Sequence, residues 1–183
     1  MKIKKLNLSG PCIIEPKIFH DDRGFFFESW NEDEYLKKKL NIKVVQENFA
    51  HSKKNVLRGL HIQYPKLQGK LISVMNGKIF DVVVDVRKNS PTFGKWCGVI
   101  LDSKKKKSLW VPEGFGHGYL VLSKFADVMY KCTCKYYPKN QIEIIWNDPF
   151  INIKWPTKKP ILSQKDSLGY ELKKMKNLPR WKK

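Results

Sequence analysis

The sequence predicts an all-β domain, an antiparallel barrel or double-sheet jelly roll with one or two short helices. Short segments of β-type composition recur along the chain, separated by Gly, Pro or Asn, without the long helical stretches of an alternating α/β fold. The 183 residues show neither an internal repeat nor a long linker, and a hydrophobic content of 42% is enough for one sizeable core. Residues 1–183 are therefore expected to form a single domain.

The elements follow in chain order. Asn31 is placed to cap a helix whose first turn holds Glu32, Asp33 and Glu34 and whose last turn holds Lys37, Lys38 and Lys39, charges that suit the helix dipole at both ends. Residues 55–63 read as a strand in which Arg58 and His61 interrupt an apolar pattern. Residues 70–75 and 78–87 flank Asn76-Gly77, the dipeptide best suited to a type I′ turn, so a β-hairpin is expected. In its second arm Phe80, Val82, Val84 and Val86 share one face, and Asp81, Asp85 and Arg87 the other. Residues 93–101, 108–112, 117–122 and 125–137 continue the strand series, which suits a barrel or jelly roll. On the last of these, Val128, Tyr130, Cys132, Cys134 and Tyr136 share a face. Residues 162–166 and the stretch from Gly169 onward read as a loop and a short helical tail whose last residues are expected to be mobile.

The formal charge of +19 raises nucleic acid or an anionic surface as a partner. Only four of the 36 basic residues are arginine, however: Arg23, Arg58, Arg87 and Arg180. Groove-reading proteins favour arginine for bidentate contacts. The lysine runs at 37–39, at 104–107 and after Lys173 lie at element ends and tails without interleaved aromatics, so they read as solvated faces, and no nucleic-acid partner is expected. No apolar run of signal-peptide or membrane-spanning length occurs, which points to a soluble, cytoplasmic protein. The four cysteines, Cys12, Cys97 and the Cys132/Cys134 pair, lack paired C-x-x-C knuckles and read as reduced, packed thiols.

Four side chains stand out chemically. An imidazole or a charge in a strand needs either a satisfied core network or a site, and this choice applies to His61 and Arg58 alike. The two lie three residues apart, on opposite faces of an ideal strand, so a bulge or turn at Gly59 is required to aim them together. Lys70 opens the next strand, either as an edge lysine that discourages aggregation or as a cation in a site. Tyr130 sits on an inward face, where it either packs with its hydroxyl satisfied or presents that hydroxyl to a cavity as an acid.

Pro112-Glu-Gly-Phe-Gly-His117 matches P-x-G-x-x-H, the second signature of the cupin superfamily of jelly-roll barrels. In metal-binding cupins the first signature supplies H-x-H and a downstream glutamate. Here that stretch is His61-Ile-Gln63 with no acidic residue in the following turn, short of the three protein ligands a catalytic metal normally takes. A metal-free cupin is therefore favoured over a metal-dependent one.

Asp22-Arg-Gly-Phe-Phe-Phe-Glu-Ser29, Val45-Gln-Glu-Asn48, Val56-Leu-Arg-Gly-Leu-His61, Gln68-Gly-Lys70, Ser90-Pro-Thr-Phe-Gly94, Trp110-Val-Pro-Glu-Gly-Phe-Gly-His-Gly118 and Trp146-Asn-Asp-Pro149 occur in this order. Together they closely resemble the dTDP-4-dehydrorhamnose 3,5-epimerase family, over nearly the whole chain. The resemblance implies a homodimeric cupin-like jelly roll that needs no metal or other cofactor and acts on a dTDP-linked 4-keto-6-deoxy sugar. It further implies His61 as general base, Asp166 as the carboxylate paired with it, Tyr130 as general acid and Lys70 as the cation beside the sugar C4 oxygen. Arg23, Glu28, Gln46, Asn48, Arg58, His117 and Lys165 match substrate-binding positions, with Phe26 among the aromatics near the nucleotide. The family's dimer also implies that some contacts from Arg23 to Glu28 come from the partner chain. Gln141 falls where many members carry a glutamate, with Glu143 two residues on, and Lys135 falls where an aromatic is common.

These residue types suit the chemistry. A C4 ketone acidifies the protons at C3 and C5, a nearby ammonium stabilises the enolate oxygen, and a histidine held by an aspartate keeps one tautomer. Inversion then needs a proton from the opposite face. The Gly114 and Gly116 pair lies between strands, the wrong context for a dinucleotide site. Three competing readings remain open from sequence: an epimerase acting at C3 or C5 alone, a metal-dependent cupin enzyme, and a binding module whose lysines engage an acidic polymer.

Overall fold

The computed structural model describes residues 1–181. In chain order the strands are β1 (Lys2–Lys5), β2 (Cys12–Glu15), β3 (Phe19–Asp21), β4 (Gly24–Phe26), β5 (Gln46–Lys53), β6 (Leu57–Gln63), β7 (Lys70–Asn76), β8 (Lys78–Asp85), β9 (Trp96–Asp102), β10 (Ser108–Val111), β11 (Phe115–Val121), β12 (Phe125–Cys132) and β13 (Gln141–Glu143). Helix α1 (Glu32–Lys37) precedes β5, and α2 (Gln164–Ser167) lies near the carboxyl end. One sheet has the order β1-β2-β10-β7-β12-β5 and the other β13-β6-β11-β8-β9, while β3 and β4 form a separate ribbon. The expected antiparallel jelly roll is what the chain forms.

The alternation of side chains explains how the layers close. Between the sheets, Ile72, Val74, Leu109, Val111, Ala126 and Val128 of the first meet Ile79, Val83, Leu101, Phe115, Tyr119 and Val121 of the second. Neither sheet is bare on its other side. Leu60, Ile62, Val82 and Val84 pack outward under Ile144, Ile151, Ile153, Leu172 and Leu178, and Cys12, Ile14, Leu71 and Trp110 pack under Tyr35 and Ile42. Burial on both faces is why β8 reads as a nearly continuous apolar run, and it places Asp81, fully buried, on the interior side.

The helix forms where its charges predict. Asn31 accepts a hydrogen bond from the Glu34 backbone N–H, and the acidic first turn stands as expected. It stops at Lys37, however, and Lys39 adopts a left-handed φ of 62°.

The expected β7–β8 hairpin does not form. β7 pairs with β10 and β12, and β8 pairs with β11 and β9, so the chain crosses from one sheet to the other between them. A type I′ turn needs positive φ at both central residues, but only Gly77 (φ 80°) has it. A Cβ at Gly77 would collide with the Phe125 carbonyl, so the glycine serves a tight corner rather than a hairpin tip.

Two predicted strands are also shorter than expected. The one predicted to reach residue 137 ends at Cys132, because Thr133 donates its N–H to Gly69 O and the chain turns over the barrel mouth, taking Cys134 and Tyr136 out of the sheet. The one predicted from residue 93 starts at Trp96, because Ser90 and Thr92 turn inward to donate their hydroxyls to Asp85. The tail, expected to be mobile, is held as far as Trp181, whose N–H donates to Lys88 O at 2.9 Å. The last two residues lie outside the described residues.

Candidate active site

The pairing of β6 with β11 decides where the site lies. His61 stands opposite His117 and Arg58 opposite Tyr119, so three steps on β6 match two on β11. The extra residue is the bulge that the Arg58–His61 spacing required. Gly59 makes it possible: its φ is 120°, and a Cβ there would lie 2.6 Å from Gly118 Cα. The bulge turns Arg58 and His61 toward one cavity of about 250 Å³ inside the barrel.

Both sheets contribute to this cavity. The β6–β11 wall presents Arg58, His61, His117 and Tyr119, while β5, β7 and β12 of the other sheet present Gln46, Asn48, Lys70 and Tyr130. Gln68, Tyr136 and Gln141 complete it. A second cleft of about 310 Å³ adjoins it, with Arg58, His61, Tyr136 and Gln141 on the border and Ser163, Lys165 and Asp166 beyond.

Asp166 reaches His61 from 105 residues away on a strap anchored at both ends. Leu57 N–H donates to Ile161 O and Ile161 N–H to Asn55 O at one end; Tyr170 N–H donates to Glu143 O and Ile145 N–H to Tyr170 O at the other. Between them, Ser163 caps α2 by accepting the Asp166 N–H and donates its hydroxyl to Asp166 Oδ2 at 2.8 Å. Asp166 Oδ1 then lies 2.5 Å from His61 Nε2. Burial pushes the Asp166 carboxyl pKa up, but the hydrogen bond and charge of His61, with Ser163 and the Gly59 N–H, outweigh it and hold the group below the usual aspartate value. With Nε2 committed to Asp166, Nδ1 is the His61 nitrogen left for chemistry.

The remaining groups are held as their strands dictate. Desolvation lowers the Lys70 pKa, opposed by Cys132 and Asp81. Desolvation likewise raises that of Tyr130, so its phenol keeps its proton. Gln46 Oε1 accepts the Tyr136 N–H and its amide donates to Asn48. Gln141 donates to Glu143, whose residue stands opposite His61 in the β13–β6 register.

Arg23, Phe26 and Glu28 are not brought to this cavity. Arg23 is paired with Asp21 at 2.6 Å on the β3–β4 ribbon, Phe26 is 66% exposed, and Glu28 accepts from Asn31. Sequence reasoning missed four lining or supporting residues: Gln68, Tyr119, Tyr136 and Asp81. The last is the partner of His117, with Nε2 2.6 Å from Oδ1. Gln68 lies in the Gln68-Gly-Lys70 block and Tyr136 follows Tyr130 in alternation, whereas the signal for Asp81 was position alone, on the interior face of β8. Gln63, the residue that replaces a second H-x-H histidine, clamps the mouth by donating to Lys66 O and Lys135 O and accepting the Tyr137 N–H. Among the described residues no three His, Cys, Asp or Glu side chains gather in a metal-binding group.

Known proteins resemble this chain over most of its length. The profile of the dTDP-4-dehydrorhamnose 3,5-epimerase family matches residues 5–174. The dTDP-4-dehydrorhamnose 3,5-epimerase of Salmonella typhimurium is 48% identical over 172 residues, covering 91% of this chain and 93% of that one. A crystal structure of the dTDP-6-deoxy-D-glucose-3,5-epimerase of Legionella pneumophila, in complex with dTDP-4-keto-L-rhamnose, superposes with a TM-score of 0.95 at 45% identity, covering 100% of this chain and 99% of that one. A 3′-monoepimerase from Streptomyces bikiniensis, in complex with dTDP-quinovose, superposes with a TM-score of 0.90 at 32% identity, covering 97% and 92%.

The depressed Asp166 carboxyl has a consequence for acid stability. A group with a lowered folded-state pKa contributes stability that is fully present above its unfolded value and is lost as pH falls through the folded one. Asp166→Asn is therefore expected to lower the urea midpoint at pH 7, and the gap from wild type should close below the unperturbed value of 3.8. A gap of equal size at pH 7 and pH 3 contradicts this account of the pair.

Proposed function

This chain belongs to the dTDP-4-dehydrorhamnose 3,5-epimerase family, and on that footing we propose that it inverts C3 and C5 of dTDP-4-dehydro-6-deoxy-D-glucose to give dTDP-4-dehydro-L-rhamnose. The observation that carries the reading is the arrangement of the cavity: a carboxylate-held imidazole on one sheet, a protonated phenol on the other, and a desolvated ammonium in the same space.

In this reading the C4 ketone lies against Lys70. As His61 Nδ1 removes the proton from C5 or C3, charge moves onto the C4 oxygen, where the ammonium acts in a water-poor, low-dielectric lumen. Asp166 fixes the imidazole and stabilises the imidazolium as it forms. Tyr130 then returns a proton from the opposite wall, which inverts the carbon. Proton transfer by a positioned side chain is worth roughly 10² to 10⁴ in rate. No net oxidation occurs, so the route calls for no nicotinamide, and the Lys70 ammonium takes the place at the enolate oxygen that a Lewis acid would otherwise fill.

Binding uses the rest of the set. Arg58, at the border between lumen and outer cleft, suits the pyrophosphate together with Lys165, because a guanidinium matches two phosphate oxygens at once. Gln46, Asn48, His117 and Gln141 face the sugar. A second copy of the chain supplies Arg23, Phe26 and Glu28, in keeping with a β3–β4 ribbon that leaves Phe19, Phe25 and Phe26 exposed away from its own cavity. The working unit is thus a homodimer, and the free thiols suit the cytoplasm. Inversion at a single carbon is the second reading, favoured by the likeness to a 3′-monoepimerase; the higher identity to 3,5-epimerases favours the double inversion.

Incubation with the 4-keto sugar nucleotide in deuterated water, followed by NMR of the product, separates these readings. Deuterium and inversion are expected at both C3 and C5. Label at one carbon alone supports the monoepimerase, and no label at either refutes an epimerase.

Mixing two inactive variants tests the shared site. In a dimer of Arg23→Ala with His61→Ala, one site combines an intact His61 with the partner's intact Arg23. Equal mixing after dissociation is expected to restore about a quarter of wild-type activity per chain. No recovery means that Arg23 serves its own chain.

A further inference from the structure

The lumen contains a second histidine–carboxylate pair that the proposed proton transfers leave unused. His117 Nε2 lies 2.6 Å from Asp81 Oδ1, with the imidazole 8% and the carboxylate 0% exposed. Asp81 stands opposite Tyr119 across β8 and β11, and His117 stands opposite His61 across β11 and β6, so both imidazoles belong to one wall. Asp81 is far less well satisfied than Asp166: its Oδ2 is buried with no hydrogen-bond partner among the described residues. An orphaned carboxylate oxygen costs stability, and an apolar side chain such as that of Val83, on the same face, carries no such cost. Packing therefore does not account for Asp81.

Lys70 does. No hydrogen bond or ion pair to its ammonium forms among the described residues, and the desolvated lumen works against its charge. The titratable and charged groups around it are Arg58 and His61 on β6, His117 and Tyr119 on β11, Tyr130 and Cys132 on β12, Tyr136 beyond β12, and Asp81 on β8. Asp81 is the only carboxylate in that set.

We propose that Asp81 is a positioning residue for the reaction: its carboxylate fixes Nε2 as the protonated nitrogen of His117 and supplies the negative field that keeps the Lys70 ammonium charged beside the substrate oxygen. The role of Lys70 toward substrate rests on the epimerase reading; the electrostatic claim does not, and it is tested without substrate.

Asp81→Asn keeps the shape and an acceptor oxygen for His117 while deleting the charge. Labelling of the Lys70 amine with acetic anhydride across a pH series, read by mass spectrometry, is expected to show a midpoint lower than wild type by about one pH unit, since removing a nearby opposite charge disfavours the ammonium. With the 4-keto sugar nucleotide, kcat is expected to fall at least about tenfold while KM changes less than about threefold, and the alkaline limb of the kcat profile should move down with the labelling midpoint. An unchanged midpoint overturns the proposal whatever the turnover. Wild-type protein that labels as described but leaves the sugar nucleotide unchanged refutes the epimerase reading alone. Nitrogen-15 histidine spectra of the wild-type protein provide a check that needs no variant: a proton on Nε2 of His117 is expected, and a proton on Nδ1 alone overturns the proposal.

Discussion

Between β6 and β11 the backbones approach so closely at Gly59 and Gly118 that a Cβ on either glycine would meet the other strand, and the ladder slips there by one residue. In an unbroken strand Arg58 and His61 point to opposite faces. The slip puts a guanidinium and an imidazole into the same cavity and aligns His61 with His117. It also leaves the Gly59 N–H near Asp166, where it helps to hold that carboxylate ionised. The strap from Ile161 to Tyr170 has only to deliver one side chain to an imidazole that already faces it.

The two sheets then divide the chemistry. The β6–β11 wall carries two imidazoles and a guanidinium, whereas β7 and β12 contribute an ammonium and a phenol. A base and an acid on one strand pair would attack the same side of a bound ring. A jelly roll places them across its interior, with two well-packed layers keeping the separation fixed. The same apolar walls desolvate Lys70, Tyr130 and Cys132 together, so a small lumen shifts several titrations at once.

Local rules served well where local forces decide. The Asn31 cap with its acidic first turn, the requirement for a bulge at Gly59, and the inward direction of Tyr130 follow from neighbouring residues alone, and each is present. The reading failed where a partner lies far away in sequence. Asn76-Gly77 has the composition of a hairpin tip, yet both flanking strands find better partners elsewhere, and register across two sheets is invisible in a six-residue window. The pairing of Asp166 with His61 came from family resemblance, because nothing local marks a carboxylate 105 residues away as a partner. Asp81 escaped notice since alternation along β8 does not reveal which of two buried faces is the lumen.

The central claim is that proton removal and proton return come from opposite walls. Deuterium incorporation by Tyr130→Phe and His61→Asn, resolved by carbon and by configuration, tests it most directly. Tyr130→Phe is predicted to admit label without inversion, because His61 still opens the C–H bond and returns a proton to the same face, while His61→Asn admits none. Inversion by Tyr130→Phe at the wild-type rate, or exchange by His61→Asn at the wild-type rate, contradicts the account.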